Sequence, residues 1–391
     1  MKIINGLVYG EDNIFHERNL YIKGDHIADE TAINDDDTKV IDASGCFVIP
    51  GLVDIHFHGA LGFDVCDGTM EAFEKVAEYE AAKGVTAICP ATLTLPVSGL
   101  KNVLKLGSEF SKLQHENLSD LVGFNMEGPF ISHVKKGAQN EDYIIKCDAE
   151  IVREFMEASG GLVKIIGLAP EENPGFEDYI SKVKNTVKVS LAHTNADYDT
   201  AMSAIEAVAS HMVHLYNAMP AFSHRQPGVV GAALDSENIT AELICDGIHI
   251  HPSVVRNTFR SLFPNRIIMV SDSLRCAGMK DGIYQLGGQD VEKKGKFCRL
   301  IDGGNIAGSV SNLYDCLITA VKEMQIPLNQ AVAACTINPA RCIGVDDRYG
   351  SLESGKYADI VLLDQNTLSI NKVFKHGRIL NRSIVKVNSI L

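Results

Sequence analysis

The sequence predicts an α/β protein, a (β/α)8 TIM-like barrel with a small β-sandwich domain formed by both chain ends. Three observations carry this. Eight short apolar runs alternate with helical patterns between residues 51 and 349, as parallel β-α units do. Residues 1–50 and 350–391 read instead as short strands and turns. Each end alone is too small to bury a core, so the two are expected to pair.

In chain order, Met1–Tyr9 is a β-type run that ends at Gly10. Asn19–Lys23 alternates, and Gly24-Asp25 supplies a turn. Lys39–Asp42 and Cys46–Ile49 are two more short strands. The barrel runs are Leu52–Ile55, Thr86–Pro90, Leu121–Met126, Val163–Ala169, Val187–Ala192, His211–Leu215, Thr240–Cys245 and Ile267–Ser271. Helical stretches intervene, such as Met70–Lys83, Ala149–Ala158, Tyr198–Val208 and Ser253–Leu262. The Gly-rich alternating stretch Gly282–Gly308 is expected as a β-hairpin excursion after the eighth strand. At the C-terminal end, Asp359–Leu363 is an apolar strand, and Ile370–Phe374 and Ile379–Asn381 flank a turn at His376-Gly377. The expected domains are residues 1–50 plus 350–391, and a barrel over 51–349.

Composition narrows the function. The chain has 391 residues, 46% hydrophobic and 22% charged, which is ordinary for a soluble globular protein. Its 36 basic and 50 acidic residues give a net charge of −14, which argues against nucleic-acid or anionic-membrane partners. Any anionic substrate would need a local positive site. The N-terminus lacks the basic-then-apolar pattern of a signal peptide, and no run approaches the roughly 18 apolar residues of a membrane span. The ten cysteines contain no Cys-x-x-Cys pair and lie mostly in apolar contexts, so they are expected to be reduced and buried in a cytoplasmic protein.

Polar residues at the C-terminal ends of barrel strands form active sites. Strand one ends in Asp54-Ile55-His56-Phe57-His58, and side chains at i and i+2 point the same way, so His56 and His58 can reach one ion. Strand three ends at Glu127, strand five at His193, strand six carries His214, and strand eight ends at Asp272. Any one of these could be an ordinary hydrogen-bonded or ion-paired residue. Together they form an imidazole and carboxylate donor set suited to zinc or iron(II). Three protein ligands with an open position make a catalytic rather than a structural site.

Longer segments carry a resemblance. Pro50–Gly59, Met126-Glu127-Gly128-Pro129-Phe130, Lys136-Gly137-Ala138, Ala192–Ala196, the run His214-Leu215-Tyr216-Asn217-Ala218-Met219-Pro220, Arg225-Gln226-Pro227-Gly228 and Asp246-Gly247-Ile248-His249 all contribute to it. The sequence resembles the amidohydrolase superfamily and, within it, the N-acetylglucosamine-6-phosphate deacetylases. The resemblance implies that Glu127, His193 and His214 hold the principal divalent metal. His56 and His58 would hold a second ion, which some members have and others lack. One or two ions per subunit are therefore implied, zinc or iron. Asp272 would move the proton as general base and then acid, and His249 would polarise the acetamide carbonyl. Asn217, Ala218 and Arg225 would bind the substrate phosphate, with Arg225 reaching a neighbouring subunit's site in a homodimer. Gly137, Ala138 and Gln139 would line the sugar site. The implied products are acetate and glucosamine 6-phosphate, in amino-sugar catabolism and cell-wall recycling.

Two departures bear on specificity. Gln139 stands where relatives often have a sugar-contacting His, and Ser271-Asp272-Ser273 replaces the common Thr-Asp-Ala. Both leave N-acetylgalactosamine 6-phosphate open as the substrate. Another amidase or a nucleobase deaminase of the superfamily is a further alternative. Those chemistries usually bring a strand-four Lys at the catalytic face, whereas Lys164 lies near its strand's start. A non-catalytic scaffold would be expected to have lost ligands that this chain keeps.

Overall fold

Eight parallel strands follow one another in chain order: Leu52–Asp54, Val85–Ile88, Phe124–Phe130, Val163–Leu168, Lys188–Leu191, His211–Met212, Thr240–Ile244 and Ile267–Val270. The computed structural model describes residues 1–32, 39–113 and 116–380. The end of the expected Ile379–Asn381 strand, and the rest of 381–391, lie outside them. Strand one pairs with strand two, whose continuation Ala91–Thr92 pairs with strand three, and neighbours then pair in parallel through strand eight. The ring closes beyond the regular strands. Asp272 N donates to His56 O at 2.9 Å and His58 N donates to Ser273 O at 2.8 Å. The seam between the last and first strands therefore runs through candidate site residues.

These strands are largely apolar because both faces are covered, by helices outside and by packed side chains inside. Two expected runs break where the backbone has a reason to turn. The run predicted at Leu121–Met126 splits into Asp120–Leu121 and Phe124–Phe130 around Gly123, where a Cβ would meet Lys164 Cγ at 2.4 Å. The run predicted at His211–Leu215 stops at Met212, because His214 and Tyr216 take positive φ of 28° and 81°. Among the described residues no helix is long and apolar enough to cross a membrane.

The chain ends form two facing sheets. One has the order His26–Ala28, Leu20–Lys23, Lys2–Ile4, Val40–Asp42. The other mixes both ends, in the order Arg378–Ile379, Ile370–Lys375, Ile360–Asp364, Cys46–Pro50, Leu7–Tyr9, Phe15–Glu17. They share a core that includes Ile3, Val8, Ile22, Val48, Ile360 and Phe374. The single run expected over Met1–Tyr9 is two strands, one in each sheet, parted at Asn5 with φ 61°. The excursion after strand eight has three antiparallel strands rather than one hairpin: Gly282–Leu286, Gln289–Lys294 and Phe297–Leu300. It packs Leu286, Val291 and Cys298 against Leu93, Leu274 and Cys276 at the barrel mouth.

At the opposite end of the barrel, Lys375 is 1% exposed where the mixed sheet meets strand three. It donates to Asp120, and lies 3.5 Å from Asp359. Asp120 also accepts from Tyr349 Oη at 2.8 Å and pairs with His376 Nε2 at 2.9 Å. The Lys375 ammonium thus supplies the cation for this acidic cluster. Burial pushes the Asp120 carboxyl up, but His376 and Lys375 outweigh it and hold it at about 2. A carboxyl depressed on folding stabilises the native state above its unfolded value near 3.9, and that contribution is lost as pH falls through about 2. D120N is expected to destabilise the protein by about 2–3 kcal/mol at pH 7, because each tenfold change in proton affinity on folding is worth about 1.4 kcal/mol. Urea midpoints should show the gap to wild type closing below about pH 4; a gap constant with pH would refute the coupling.

Candidate active site

The C-terminal ends of the strands open into a cavity of about 570 Å³. Glu127, at 2% exposure, stands at its centre. Its Oε1 lies 3.0 Å from His193 Nε2 and 2.9 Å from His214 Nε2, and those two nitrogens are 3.1 Å apart. The same oxygen is 3.3 Å from His56 Nε2. Its Oε2 is 3.3 Å from His58 Nε2, which is also 3.3 Å from Asp272 Oδ1. Two overlapping ligand groups result, His56–Glu127–His214 and His56–His58–Asp272, each with its donor atoms within 4.8 Å of one another.

Local backbone aims these side chains. His193, His214 and Asp272 all have positive φ, of 43°, 28° and 48°. Each such non-glycine conformation costs roughly 1–3 kcal/mol, and the surrounding structure must hold it. Gly137 has φ 58° and sits so close to the His193 ring that a Cβ would lie 3.2 Å from Cε1.

Hydrogen bonds fix which nitrogen of the His193 and His56 rings faces inward. Lys135 O accepts from His193 Nδ1 at 2.9 Å, and a carbonyl can only accept, so His193 Nε2 presents its lone pair in the neutral ring. Glu242 accepts from His56 Nδ1 at 2.7 Å, which leaves His56 Nε2 inward with no hydrogen-bond partner. Glu242 is fully buried and also accepts from His211 Nε2 at 2.9 Å, Asn125 Nδ2 at 3.2 Å and the His214 N–H at 2.9 Å.

These features fit a divalent cation. Facing imidazole lone pairs repel unless something positive lies between them, and tetrahedral bonds of about 2.0–2.1 Å would space ligand atoms about 3.3 Å apart. Burial alone would raise the Glu127 carboxyl, but His193 and His56 pull it well below its ordinary range, so a charged carboxylate is available to a cation. The nitrogens of His193 and His214 with one Glu127 oxygen form one ligand face. His58 and Asp272 with the other oxygen form a second, and His56, 3.3 Å from the first oxygen, stands between the two.

Asp246 is 2% exposed and accepts from His249 Nδ1 at 2.8 Å. Burial lowers the His249 pKa, but the Asp246 bond and charge outweigh it and raise the value. The bond to Asp246 turns Nε2 toward the cavity, and the raised pKa favours the doubly protonated ring, the form that can donate from that nitrogen. Gln139 is buried and turns its amide to the site carboxylate: Nε2 donates to Glu127 Oε2 at 2.6 Å, and Oε1 accepts from Thr94 N at 2.7 Å.

Of the residues singled out from the sequence, His58, Glu127, Gly137, Ala138, Gln139, His193, His214, Asn217, Ala218, His249 and Asp272 line this cavity. His56 lies fully buried behind it. Arg225 is exposed on the loop after strand six and does not line the cavity of its own chain. Lys164 lines a separate cavity at the other end of the barrel. The sequence reading missed Glu242, His211, Asn125 and Asp246, which orient the ligands and His249. One signal was available: Glu242 is the only charged residue of Thr240–Ile244.

The amidohydrolase family model matches residues 47–382. The chain is 34% identical over 321 residues to the N-acetylglucosamine-6-phosphate deacetylase of Bacillus subtilis (strain 168), covering 82% of this chain and 81% of that protein. It is 30% identical over 330 residues to the N-acetylgalactosamine-6-phosphate deacetylase of Escherichia coli O157:H7, covering 84% and 86%. Among solved structures, a mutant N-acetyl-D-glucosamine-6-phosphate deacetylase from Mycobacterium smegmatis, in complex with N-acetyl-D-glucosamine-6-phosphate, superposes with a TM-score of 0.90. That likeness carries 26% identity and covers 97% of this chain and 99% of that one.

Proposed function

The chain belongs to the amidohydrolase family, and from that premise we propose that it deacetylates N-acetylglucosamine 6-phosphate to glucosamine 6-phosphate and acetate. The observation that carries the reading is the convergence of His56, His58, His193 and His214 on one buried carboxylate, with Asp272 beside them. The likeness to two hexosamine-phosphate deacetylases supplies the substrate class.

A divalent ion, zinc or iron, held by Glu127, His193 and His214, with His56 and His58 available to a second, would supply Lewis acidity toward the acetamide oxygen and acidify the attacking water. Asp272 accepts a proton as the water oxygen bonds to the carbonyl carbon. His249, held by Asp246, donates a hydrogen bond to the carbonyl oxygen as it gains charge. Asp272 then returns the proton to the amide nitrogen, the C–N bond breaks, and acetate leaves with the free amine. Gly137, Ala138 and Gln139 border the sugar, and Asn217 and Ala218 its phosphate. Arg225, exposed in one chain, is assigned to the neighbouring site of a homodimer. Ten free cysteines, eight of them buried, support a reducing, cytoplasmic setting.

Metal-replete protein should release acetate from N-acetylglucosamine 6-phosphate, and a chelator should stop it. D272N should cut kcat about 10²–10⁴-fold, the usual loss of a general acid–base group. No turnover of any N-acetylated hexosamine 6-phosphate would refute the reading. A rate on the galactosamine epimer above that on the glucosamine epimer would move the assignment to the second sugar, which the E. coli relative favours.

A further inference from the structure

The proposed substrate is an anion and the chain carries −14, so cations inside the cavity need a reason to be there. Lys135 and Arg299 are the only Lys or Arg side chains that line it among the described residues. Arg299 is exposed on the excursion and leans on its own strand and turn. Its Nη1 donates to Gly304 O at 3.0 Å, and its guanidinium stands 5.2 Å from the Phe297 ring centre. It holds the excursion's own turn.

Lys135 is different. It is partly buried, and among the described residues it forms no ion pair, whereas neighbouring Lys136 pairs with Glu141 at 2.5 Å and does not line the cavity. The Lys135 Nζ makes one hydrogen bond, to Met219 O at 3.2 Å. That carbonyl belongs to the Asn217-Ala218-Met219 turn. Ala218 has φ 51°, and its N–H donates to no protein acceptor among the described residues. An ammonium with two unused donors and an unused backbone N–H thus converge on one corner of the cavity. Donors of this kind gathered at a left-handed turn form an anion-binding concavity.

Resting on the deacetylase reading, we infer that Lys135 is the cation with which this chain itself grips the substrate phosphate and so prefers phosphorylated over unphosphorylated sugars. Phosphate binding is then shared between a cation of the same chain and the proposed Arg225 of a second. Lys135 also places its carbonyl on His193 Nδ1, so one residue ties the phosphate corner to a metal-ligand ring through separate atoms.

The test compares K135M with wild type on N-acetylglucosamine 6-phosphate and on N-acetylglucosamine. K135M should lower kcat/KM for the phosphorylated sugar about 10–100-fold more than for the plain one, mainly through KM, as expected for a lost charge-assisted contact. K135R should restore most of the ratio. The backbone carbonyl is kept in both variants, so metal content serves as the control for local misfolding. Calorimetry with glucosamine 6-phosphate and glucosamine reads the same preference without turnover. An unchanged ratio, or an equal loss on both sugars, would overturn the role of Lys135. A wild type that binds the phosphorylated sugar preferentially but releases no acetate would fail the deacetylase reading alone.

Discussion

Glu127→Gln should yield a protein that folds but holds less than one metal ion per chain and loses at least about three orders of magnitude in kcat. Among the described residues, Glu127 is the one acidic side chain that faces all four imidazoles, at 2.9 to 3.3 Å. Gln fills the same volume, so packing survives. It removes the negative charge that would offset a cation and puts an amide N–H₂ in place of one carboxylate oxygen. The Gln139 amide, which donates to Glu127 Oε2 at 2.6 Å, would face another donor in one amide orientation. Elemental analysis and an acetate-release assay read the two effects separately. Wild-type metal content in E127Q would place the ion elsewhere and remove the basis of the site.

Glu242→Gln comes second in expected size, although Glu242 touches no substrate. Its carboxylate is buried and accepts four hydrogen bonds, from His56, His211, Asn125 and the His214 N–H. Burial alone would raise its pKa, but the His56 and His211 charges outweigh that and hold it far below the ordinary value. Its stabilising contribution is therefore complete above the unfolded value near 4.3 and lost only as pH falls well below it. A glutamine can accept with one atom only and turns two donors toward groups that also donate. The expected cost at pH 7 is about 3–5 kcal/mol, as for a buried pair broken on one side. With His56 released, metal affinity should fall roughly 10–100-fold. Denaturant midpoints and metal titration check this. A fully stable E242Q with unaltered metal affinity would show that His56 is positioned by something else.

The barrel was legible because a strand covered on both faces must be apolar along its length, and eight such runs stand out between residues 51 and 349. Their ends were less legible. Val213, His214 and Leu215 look like three more strand residues, yet His214 adopts a left-handed backbone that nothing in its residue type announces. Phe15–Glu17 has three residues and no period to detect. The site divides in the same way. Ligand residue types at strand ends can be picked out from chemistry and spacing. Their partners cannot, because Glu242 meets His56 across 186 residues and Asn125 across 117. Within its own strand Glu242 reads as an interruption of an apolar run. It becomes intelligible only when strand seven stands beside the histidines of strands one and six.

The closing seam has a consequence for how the protein is made. His56 and His58 leave the ribosome more than 200 residues before Asp272, which donates its backbone N–H to His56 O and faces the His58 ring. On the proposed assignment, a nascent chain that lacks the last barrel strand would hold part of the ligand set and lack Asp272. It therefore has no complete hydrolytic centre to expose to other acetamides in the cell. On the proposed assignment, sealing of the ring is thus a precondition of activity.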